Sequence, residues 1–223
     1  MSGPVIPVRP SSDPLPPSLS PAILYLTASL YVGGQESAPL GTRRLLGEIC
    51  DFVQGLQNKT HGLLEAYLFD QGSPFNSSDF SVQQMQLVGL PKAAISYRAW
   101  RSMSDEQRLL DNHRAYLTFQ EYFQLVQDDQ LELGSLKPGL RALLSQVRAD
   151  LGALEARLAS ALASLGLPAP PPTVEDPLSW LDSRSSTFQR RLRGYLVCRE
   201  YQMWLERTER SLSLLRAKYQ GAE

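Results

Sequence analysis

The sequence predicts an all-α fold: a long-chain four-helix bundle, up-up-down-down, with two long crossover loops. Two observations predict this fold. First, apolar residues recur every three or four positions over four long stretches, which is the period of a helix that buries one face. These stretches are residues 43–71, 105–129, 136–165 and 185–219. Second, the connections are long, short and long, and a long connection lets the chain travel the length of a bundle before the next helix starts in the same direction. The connections are residues 72–104, 130–135 and 166–184.

The first helix is predicted from one apolar face and a clear stop signal. Its face consists of Leu45, Ile49, Phe52, Leu56, Leu63, Leu64, Tyr67 and Leu68. Three glycines interrupt the stretch, Gly47, Gly55 and Gly62, and a glycine inside a helix costs about 1 kcal/mol relative to alanine. The helix is expected to end at Gln71-Gly72-Ser73-Pro74, because Gly followed by Pro is a common end signal.

Capping boxes mark the starts of the second and fourth helices. Ser104 precedes Gln107, and Ser186 precedes Gln189, at the spacing that lets each side chain bond to the other residue's backbone amide. The third helix has the most regular apolar stripe, and Gly166-Leu167-Pro168 is expected to end it. That stripe consists of Leu140, Leu144, Val147, Leu151, Leu154, Leu158, Leu162 and Leu165.

The composition suits a globular protein and argues against a general nucleic-acid binder. The chain has 223 residues, 43% of them hydrophobic, and a net charge of -1, so no overall basic field is available to attract phosphates. Cys50 and Cys198 are predicted to be free thiols. Their heights in an antiparallel helix pair differ by roughly 13 Å, whereas a disulfide requires Cα atoms within about 7 Å.

The N-terminal segment is predicted to be a leader or a disordered segment over residues 1–38, followed by a helical domain over 39–223. The segment is rich in Pro and Ser. Residues 22–32 form an apolar run that is too short to span a bilayer as a helix. It is either the hydrophobic region of a signal peptide or an ordinary apolar patch. The sequons Asn58-Lys59-Thr60 and Asn76-Ser77-Ser78 favour secretion and make Asn58 and Asn76 candidate glycosylation sites.

No catalytic, metal-binding or cofactor-binding motif is recognisable. His61 and His113 lack a second ligand at the i, i+4 spacing of a metal site, and His113 falls on the core face of its helix. The two cysteines have no nearby His and no CxxC context. We therefore predict neither an enzyme nor a cofactor.

Three surface regions contain residues that a simple bundle does not need, and the first is at the start of the last helix. Phe188, Leu192 and Tyr195 lie well off the core stripe at 100° per residue. Three arginines border them, Arg190, Arg191 and Arg193. Two interpretations stay open: Phe188 and Arg191 contact another protein, or the first long loop covers the patch.

The second region is the outer face of the third helix, where small residues form a flat surface that a partner can approach closely. It consists of Ala142, Ser145, Ala149, Gly152, Ala156, Ser160 and Ala163. The competing interpretation is that alanine is simply the best helix former.

The third region contains Trp204 and Arg207 near the end of the last helix and Trp100 at the end of the first long loop. Trp and Arg are the usual hot-spot residues of protein interfaces. Alternatively, each tryptophan packs a loop onto the bundle. If Phe188 and Trp204 are hot spots, replacing either with alanine should weaken binding by about 2 kcal/mol without unfolding the protein.

Short segments spread along the chain resemble one protein family. They are residues 71–75 (QGSPF), 125–130 (LVQDDQ), 165–168 (LGLP), 194–197 (GYLV), 199–201 (REY) and 217–219 (AKY), with Arg108-Leu109, Asn112, Ala115-Tyr116 and Thr118-Phe119. In this order, residues 63–219 resemble the branch of the interleukin-6 cytokine family that contains ciliary neurotrophic factor, the cardiotrophins and neuropoietin. The resemblance implies a secreted, extracellular cytokine that assembles receptor chains and triggers JAK-STAT signalling with a neurotrophic outcome.

The resemblance also implies three receptor sites. A Phe-x-x-Lys motif that contacts the leukaemia inhibitory factor receptor corresponds to residues 188–191, where Arg191 replaces the lysine and changes the donor geometry. The site for the ciliary neurotrophic factor alpha receptor corresponds to Trp100, Trp204 and Arg207. The site for glycoprotein 130 corresponds to the outward faces of the first and third helices, the latter with Ala149, Gly152 and Ala156.

We expect a protein that is monomeric before it binds its receptors, that does not insert into membranes and that does not bind nucleic acid. The alternative function is a lipid-binding amphipathic helical bundle, which predicts a basic border on the helices and marginal folding without lipid. The well-defined helix caps and the aromatic core argue against this alternative.

Overall fold

The computed structural model describes residues 38–80, 82, 85–134, 136–169 and 185–220. The predicted leader and its apolar run at 22–32 lie outside the described residues. The described part contains six helices: α1 (Ala38–Thr60), α2 (Leu63–Gln71), α3 (Tyr97–Ser102), α4 (Asp105–Glu132), α5 (Pro138–Ser164) and α6 (Thr187–Gln220). The predicted all-helical bundle is confirmed, since four long helical segments correspond to the four predicted stretches.

The first predicted helix is divided into two. α1 ends at Thr60, whose hydroxyl donates a 2.7 Å hydrogen bond to the Leu56 carbonyl one turn earlier. α2 follows after Gly62, which has no side-chain cap. The division falls at one of the three predicted weak points, where glycine lowers helix propensity, while Gly47 and Gly55 stay inside α1.

Cross-helix hydrogen bonds and ion pairs define four antiparallel contacts. They are Asp51–Arg216 and Gln54–Glu209 between α1 and α6, Thr42–Ser164 and Lys59–Asp150 between α1 and α5, His113–Glu155 and Gln127–Ser145 between α4 and α5, and Tyr116–Thr208 and Asp129–Arg193 between α4 and α6. In each pair a later residue on one helix meets an earlier residue on the other. In these contacts α1 and α4 run antiparallel to α5 and α6, and the up-up-down-down order of the bundle stays a prediction.

The core lies between the four long helices and is rich in leucine and aromatic residues. It includes Leu46, Ile49, Tyr67, Leu109, Tyr116, Phe119, Phe123, Leu144, Leu151, Leu158, Tyr201 and Leu205, all fully buried. Burying one such side chain contributes about 1.5–3 kcal/mol. The predicted stripe of α5 is buried from Leu140 to Leu162, and Leu165 after its last turn is partly exposed.

The predicted helix ends are confirmed by their hydrogen bonds. At α4, Gln107 donates its amide to the Ser104 hydroxyl, and Ser104 donates its amide to the Gln107 side chain. Ser186 and Gln189 make the same pair at α6, with distances of 2.7 and 3.2 Å. Gly166 follows α5 at a φ of 70°, a conformation that glycine adopts without steric cost.

The loop between α2 and α4 is attached along α6 and α4. Arg199 on α6 donates to the Val82 carbonyl at 3.0 Å, and the Tyr122 hydroxyl on α4 donates to the Val88 carbonyl. α3 lies within this loop and was not predicted. These attachments fix the loop that borders both candidate sites on α6.

Candidate receptor-binding surfaces

The aromatic patch at the start of α6 is partly covered and partly exposed. The Tyr195 ring is buried and lies edge-on to Phe80 of the loop, with a centroid distance of 5.3 Å. Phe80 packs on Phe75 at 4.8 Å, and Phe75 packs on Phe188 at 5.4 Å. Phe188 nevertheless remains 47% exposed. The loop therefore covers Tyr195, as one interpretation expected, and leaves Phe188 at the surface, as the other required. Leu192 is buried as well.

The three arginines beside this patch have different environments. Arg193 is buried and donates two hydrogen bonds to Asp129, of 2.7 and 2.9 Å. Both groups are buried, so this ion pair belongs to the bundle interior. Removing either partner would leave an uncompensated buried charge and would be strongly destabilising. Arg190 pairs with Glu132 at the surface. Arg191 is partly exposed and donates from Nη1 to the Gln71 carbonyl at 3.2 Å.

Trp204 and Arg207 are packed into the seam between α4 and α6. The Trp204 indole is only 5% exposed and donates to the Asn112 side chain at 3.1 Å. The Arg207 guanidinium lies 4.4 Å from the centre of the Trp204 ring and donates to Asp111 at 3.2 Å. Burial lowers the pKa of Arg207, and Asp111 opposes that shift. The expectation that Trp204→Ala leaves folding intact does not fit this burial, because removing the indole would leave a cavity.

Trp100 attaches α3 to the bundle. Its indole donates to Ser211 on α6 at 3.1 Å, and the Arg108 guanidinium lies 4.7 Å from its ring centre. Arg108 also donates to the Trp100 carbonyl at 2.6 Å. Tyr97, one turn earlier, is 74% exposed, with its ring 6.0 Å from that of Trp100. Trp100 therefore packs the loop, and the aromatic side chain presented to solvent is that of Tyr97.

The small residues of α5 form an open surface on the side of the helix towards α4. Ala149 and Ala156 are exposed, and a Cβ added at Gly152 would meet no atom within 4 Å. Ser145, in the same stripe, accepts a 3.3 Å hydrogen bond from Gln127 of α4. The opposite flank of α5 contacts α1 through Asp150 and Ser164.

The two sequons differ in the accessibility of their hydroxyl residues. Asn58 is exposed on α1, but Thr60 of the same sequon is buried and bonded to the helix backbone. Asn76 and Ser78 are both exposed in the loop after α2. Asn76 follows Phe75, whose ring packs on Phe188.

The ionisable groups of the described residues do not form a reactive centre. Burial raises the pKa of the Cys198 thiol, which keeps it protonated and unreactive. His113 pairs with Glu155 at 2.9 Å between α4 and α5. Among the described residues, no group of three or more His, Cys, Asp or Glu side chains is placed to hold a metal ion.

Comparisons with known proteins identify the family. The family model described as plethodontid receptivity factor matches residues 35–223. Cardiotrophin-2 of Pan troglodytes is 40% identical over 202 residues, which cover 91% of this chain and 98% of that protein. Cardiotrophin-2 of Mus musculus is 39% identical, over 82% of this chain and 89% of its own length. Ciliary neurotrophic factor of Gallus gallus is 34% identical, over 72% of this chain and 78% of its length.

The chain belongs to the ciliary neurotrophic factor and cardiotrophin branch of the interleukin-6 cytokine family. It is therefore a cytokine and not an enzyme, and its partners are cytokine receptor chains. Within the described ranges, no helix of this cytokine is long and apolar enough to cross a membrane.

The sequence did not reveal the polar groups inside this cytokine that support its surface. Tyr67 and Gln71 are buried and each is hydrogen-bonded to the buried Gln130, and Asp129 is paired with Arg193. A signal existed for two of them, since Tyr67 and Gln71 are spaced i, i+4 on one side of α2. Gln130 lies beyond the predicted end of the second helix, so it was assigned to a turn.

Proposed function

We propose that this cytokine is secreted and assembles a receptor complex of the ciliary neurotrophic factor alpha receptor, the leukaemia inhibitory factor receptor and glycoprotein 130. The bundle holds these chains at separate faces, and their apposed intracellular domains start JAK-STAT signalling with a neurotrophic outcome. The observation that carries the proposal is the half-exposed Phe188 beside Arg191 at the start of α6. The cardiotrophin and ciliary neurotrophic factor relatives support it.

The leukaemia inhibitory factor receptor is assigned to Phe188 and Arg191. An exposed aromatic side chain beside an arginine has the composition of an interface hot spot. Phe188 rests on the buried Phe75, so its ring is supported from below and loses little freedom on binding. Arg191 keeps the positive charge of a lysine at this position and places it on a planar guanidinium.

The alpha receptor is assigned to the region of Trp100, Trp204 and Arg207, with Tyr97 as the contacting aromatic residue. Trp204 and Arg207 stack inside the bundle and Trp100 attaches α3 above them. In this proposal the three residues maintain the surface, and a partner meets Tyr97 and the outer edges of Trp100.

Glycoprotein 130 is assigned to the small residues of α5, centred on Ala149, Gly152 and Ala156. Ala149 and Ala156 are exposed and Gly152 is partly exposed, which lets a partner approach the helix closely. Asn76 and Asn58 are the proposed glycan acceptors. Asn58 lies on the outer side of α1, where a glycan would limit access to that helix. Mobility shifts on glycosidase treatment of Asn58→Gln and Asn76→Gln proteins from secreting cells would test both.

The experiment that tests the complex is receptor phosphorylation in cells that carry the leukaemia inhibitory factor receptor and glycoprotein 130, with and without the alpha receptor. Signalling only in cells with the alpha receptor is expected. Phe188→Ala should lower it in those cells, whereas Phe69→Ala, which removes another exposed aromatic ring, should not. Equal signalling without the alpha receptor would remove that chain from the proposal, and silence in both cell types from folded protein would refute the complex.

A further inference from the structure

A closed ring of hydrogen bonds connects Arg191 to α2 and α4. The Tyr67 hydroxyl donates to the Arg191 carbonyl at 2.9 Å and accepts from the Gln130 side chain at 3.1 Å. The Gln130 oxygen accepts from the Gln71 side chain at 2.9 Å. The Gln71 carbonyl then accepts from Arg191 Nη1 at 3.2 Å, which closes the ring. Arg191 is thereby bound through both its backbone and its side chain.

The ring of hydrogen bonds lies in the interior, and the Tyr67 side chain in it needs a glycine opposite on α6. Tyr67, Gln71 and Gln130 are all buried. A Cβ at Gly194 would lie 2.8 Å from Cε2 of Tyr67 and still closer to Cζ and the hydroxyl oxygen. Only a residue without a side chain lets the tyrosine ring rest against α6 at this height. Buried amides and hydroxyls are costly when unpaired, so these four bonds favour this arrangement. Among the described residues, the Gln71 side-chain oxygen accepts no hydrogen bond, and the side-chain amide group of Gln71 contributes to the ring only as a donor.

This geometry fixes the orientation of the residue proposed to contact the receptor. The bond to the Arg191 carbonyl holds the second turn of α6 against α2, and the bond from Nη1 sets the direction of the guanidinium. An arginine side chain normally loses considerable rotamer freedom when it binds a partner. A side chain that is already oriented loses less, which raises affinity without a new contact.

We propose that Tyr67, Gln71 and Gln130 are positioning residues that hold Arg191 beside Phe188 for the receptor chain. The proposal rests on the proposed function of the Phe188 surface. None of the three residues touches the partner. Their effect on binding passes through Arg191, so it should vanish when the arginine side chain is removed.

The test is a double-mutant cycle of Tyr67→Phe and Arg191→Ala. Affinity for the soluble leukaemia inhibitory factor receptor ectodomain is measured by surface plasmon resonance. Tyr67→Phe should weaken binding about fivefold to tenfold in the Arg191 background and less than about twofold in the Arg191→Ala background. The matched control is Tyr116→Phe, because Tyr116 is equally buried and its hydroxyl bonds to Thr208 at 2.6 Å, away from Arg191. This control should leave affinity within about twofold.

A second readout does not depend on affinity. Amide hydrogen exchange in residues 188–195 should be faster in Tyr67→Phe than in Tyr116→Phe. Gln71→Met removes a different bond of the ring, the one from the Gln71 side chain to Gln130. It should reproduce the loss of affinity and the faster exchange, and it replaces Tyr67→Phe as the test variant if Tyr67→Phe folds poorly.

The outcomes separate the positioning proposal from the receptor assignment. If Arg191→Ala weakens binding and Tyr67→Phe does not, the positioning proposal is overturned and the receptor assignment stands. If Tyr67→Phe weakens binding by the same factor in both backgrounds, the ring acts on something other than Arg191 and the proposal is again overturned. If neither Phe188→Ala nor Arg191→Ala changes binding, the receptor assignment fails, and the positioning proposal fails with it.

Discussion

The two candidate sites on α6 contain the same types of residue, an aromatic side chain and an arginine, in opposite environments. At the start of the helix, the aromatic Phe188 is half exposed and the arginine beside it is supported by a buried polar ring. Near the other end, the aromatic Trp204 is buried and Arg207 covers its ring. The first site presents an aromatic side chain to solvent, and the second uses one as part of its support.

The difference arises from what lies over each aromatic residue. Phe188 packs on the ring of Phe75 and stays 47% exposed, while the loop after α2 packs on Tyr195 through Phe80. Over Trp204 lies Arg207, held by Asp111 of α4 and by the Lys92 carbonyl of the same loop. The type of a residue therefore does not decide whether its side chain is exposed, and the course of the loop does.

Replacing Trp204 with alanine should have the largest effect on stability. The substitution leaves a cavity and removes the hydrogen bond from the indole to Asn112, whose oxygen keeps the bond from Thr208. The free energy of unfolding should therefore fall by about 3–5 kcal/mol. Urea denaturation followed by circular dichroism measures this. Tyr97→Ala is the control, since Tyr97 is exposed, and it should change stability by less than about 0.5 kcal/mol. A loss below about 1 kcal/mol for Trp204→Ala would show that the indole is not packed as described.

Replacing Gly194 with alanine should have the next largest effect on stability. The new methyl group must displace the Tyr67 ring, and overpacking of this kind costs about 1–3 kcal/mol. The loss should shrink in a Tyr67→Ala background, because the clash is then absent and the two substitutions are not additive. Thermal unfolding of the four proteins completes the cycle. Additive losses would mean that the methyl group finds room without moving the tyrosine.

The parts of the fold that depend on local sequence were predictable. The capping boxes at Ser104 and Ser186 require only residues three positions apart, and the α5 stripe requires only the helical period. The site depended on contacts between residues far apart along the chain. The burial of Tyr195 needs Phe80, and the ring at Arg191 needs Gln71 and Gln130.

The same limitation explains why Phe188 and Trp204 were predicted to behave alike. Both are aromatic and both lie on α6, and the helical period does not show which loop residues either of them contacts. The course of residues 72–104 has no regular period, so sequence alone did not indicate which of the two would be covered. Tyr97 was missed for the same reason, since the short helix α3 lies inside that loop.

Replacing Phe188 with alanine should separate binding from stability. If the ring is a hot spot, affinity for the leukaemia inhibitory factor receptor should fall by about 2 kcal/mol, or roughly thirtyfold. The free energy of unfolding should fall by less than about 1 kcal/mol, because about half of the side chain is already in water. Surface plasmon resonance and urea denaturation of one preparation give both numbers. A large loss of stability with unchanged affinity would make Phe188 a structural residue like Trp204.

Replacing Gly152 with alanine should have the smallest effect and the opposite sign to Gly194→Ala. Both glycines lie inside long helices, but a Cβ at Gly152 meets open space. The gain in helix propensity is then unopposed, and stability should rise by about 0.5–1 kcal/mol. Gly55→Ala in α1, where a Cβ also meets nothing, should show a similar gain in urea denaturation. An equal loss of stability at Gly152 and Gly194 would mean that an added methyl group destabilises either helix position. The difference between the open face at Gly152 and the face of Gly194 filled by Tyr67 would then have no effect on stability.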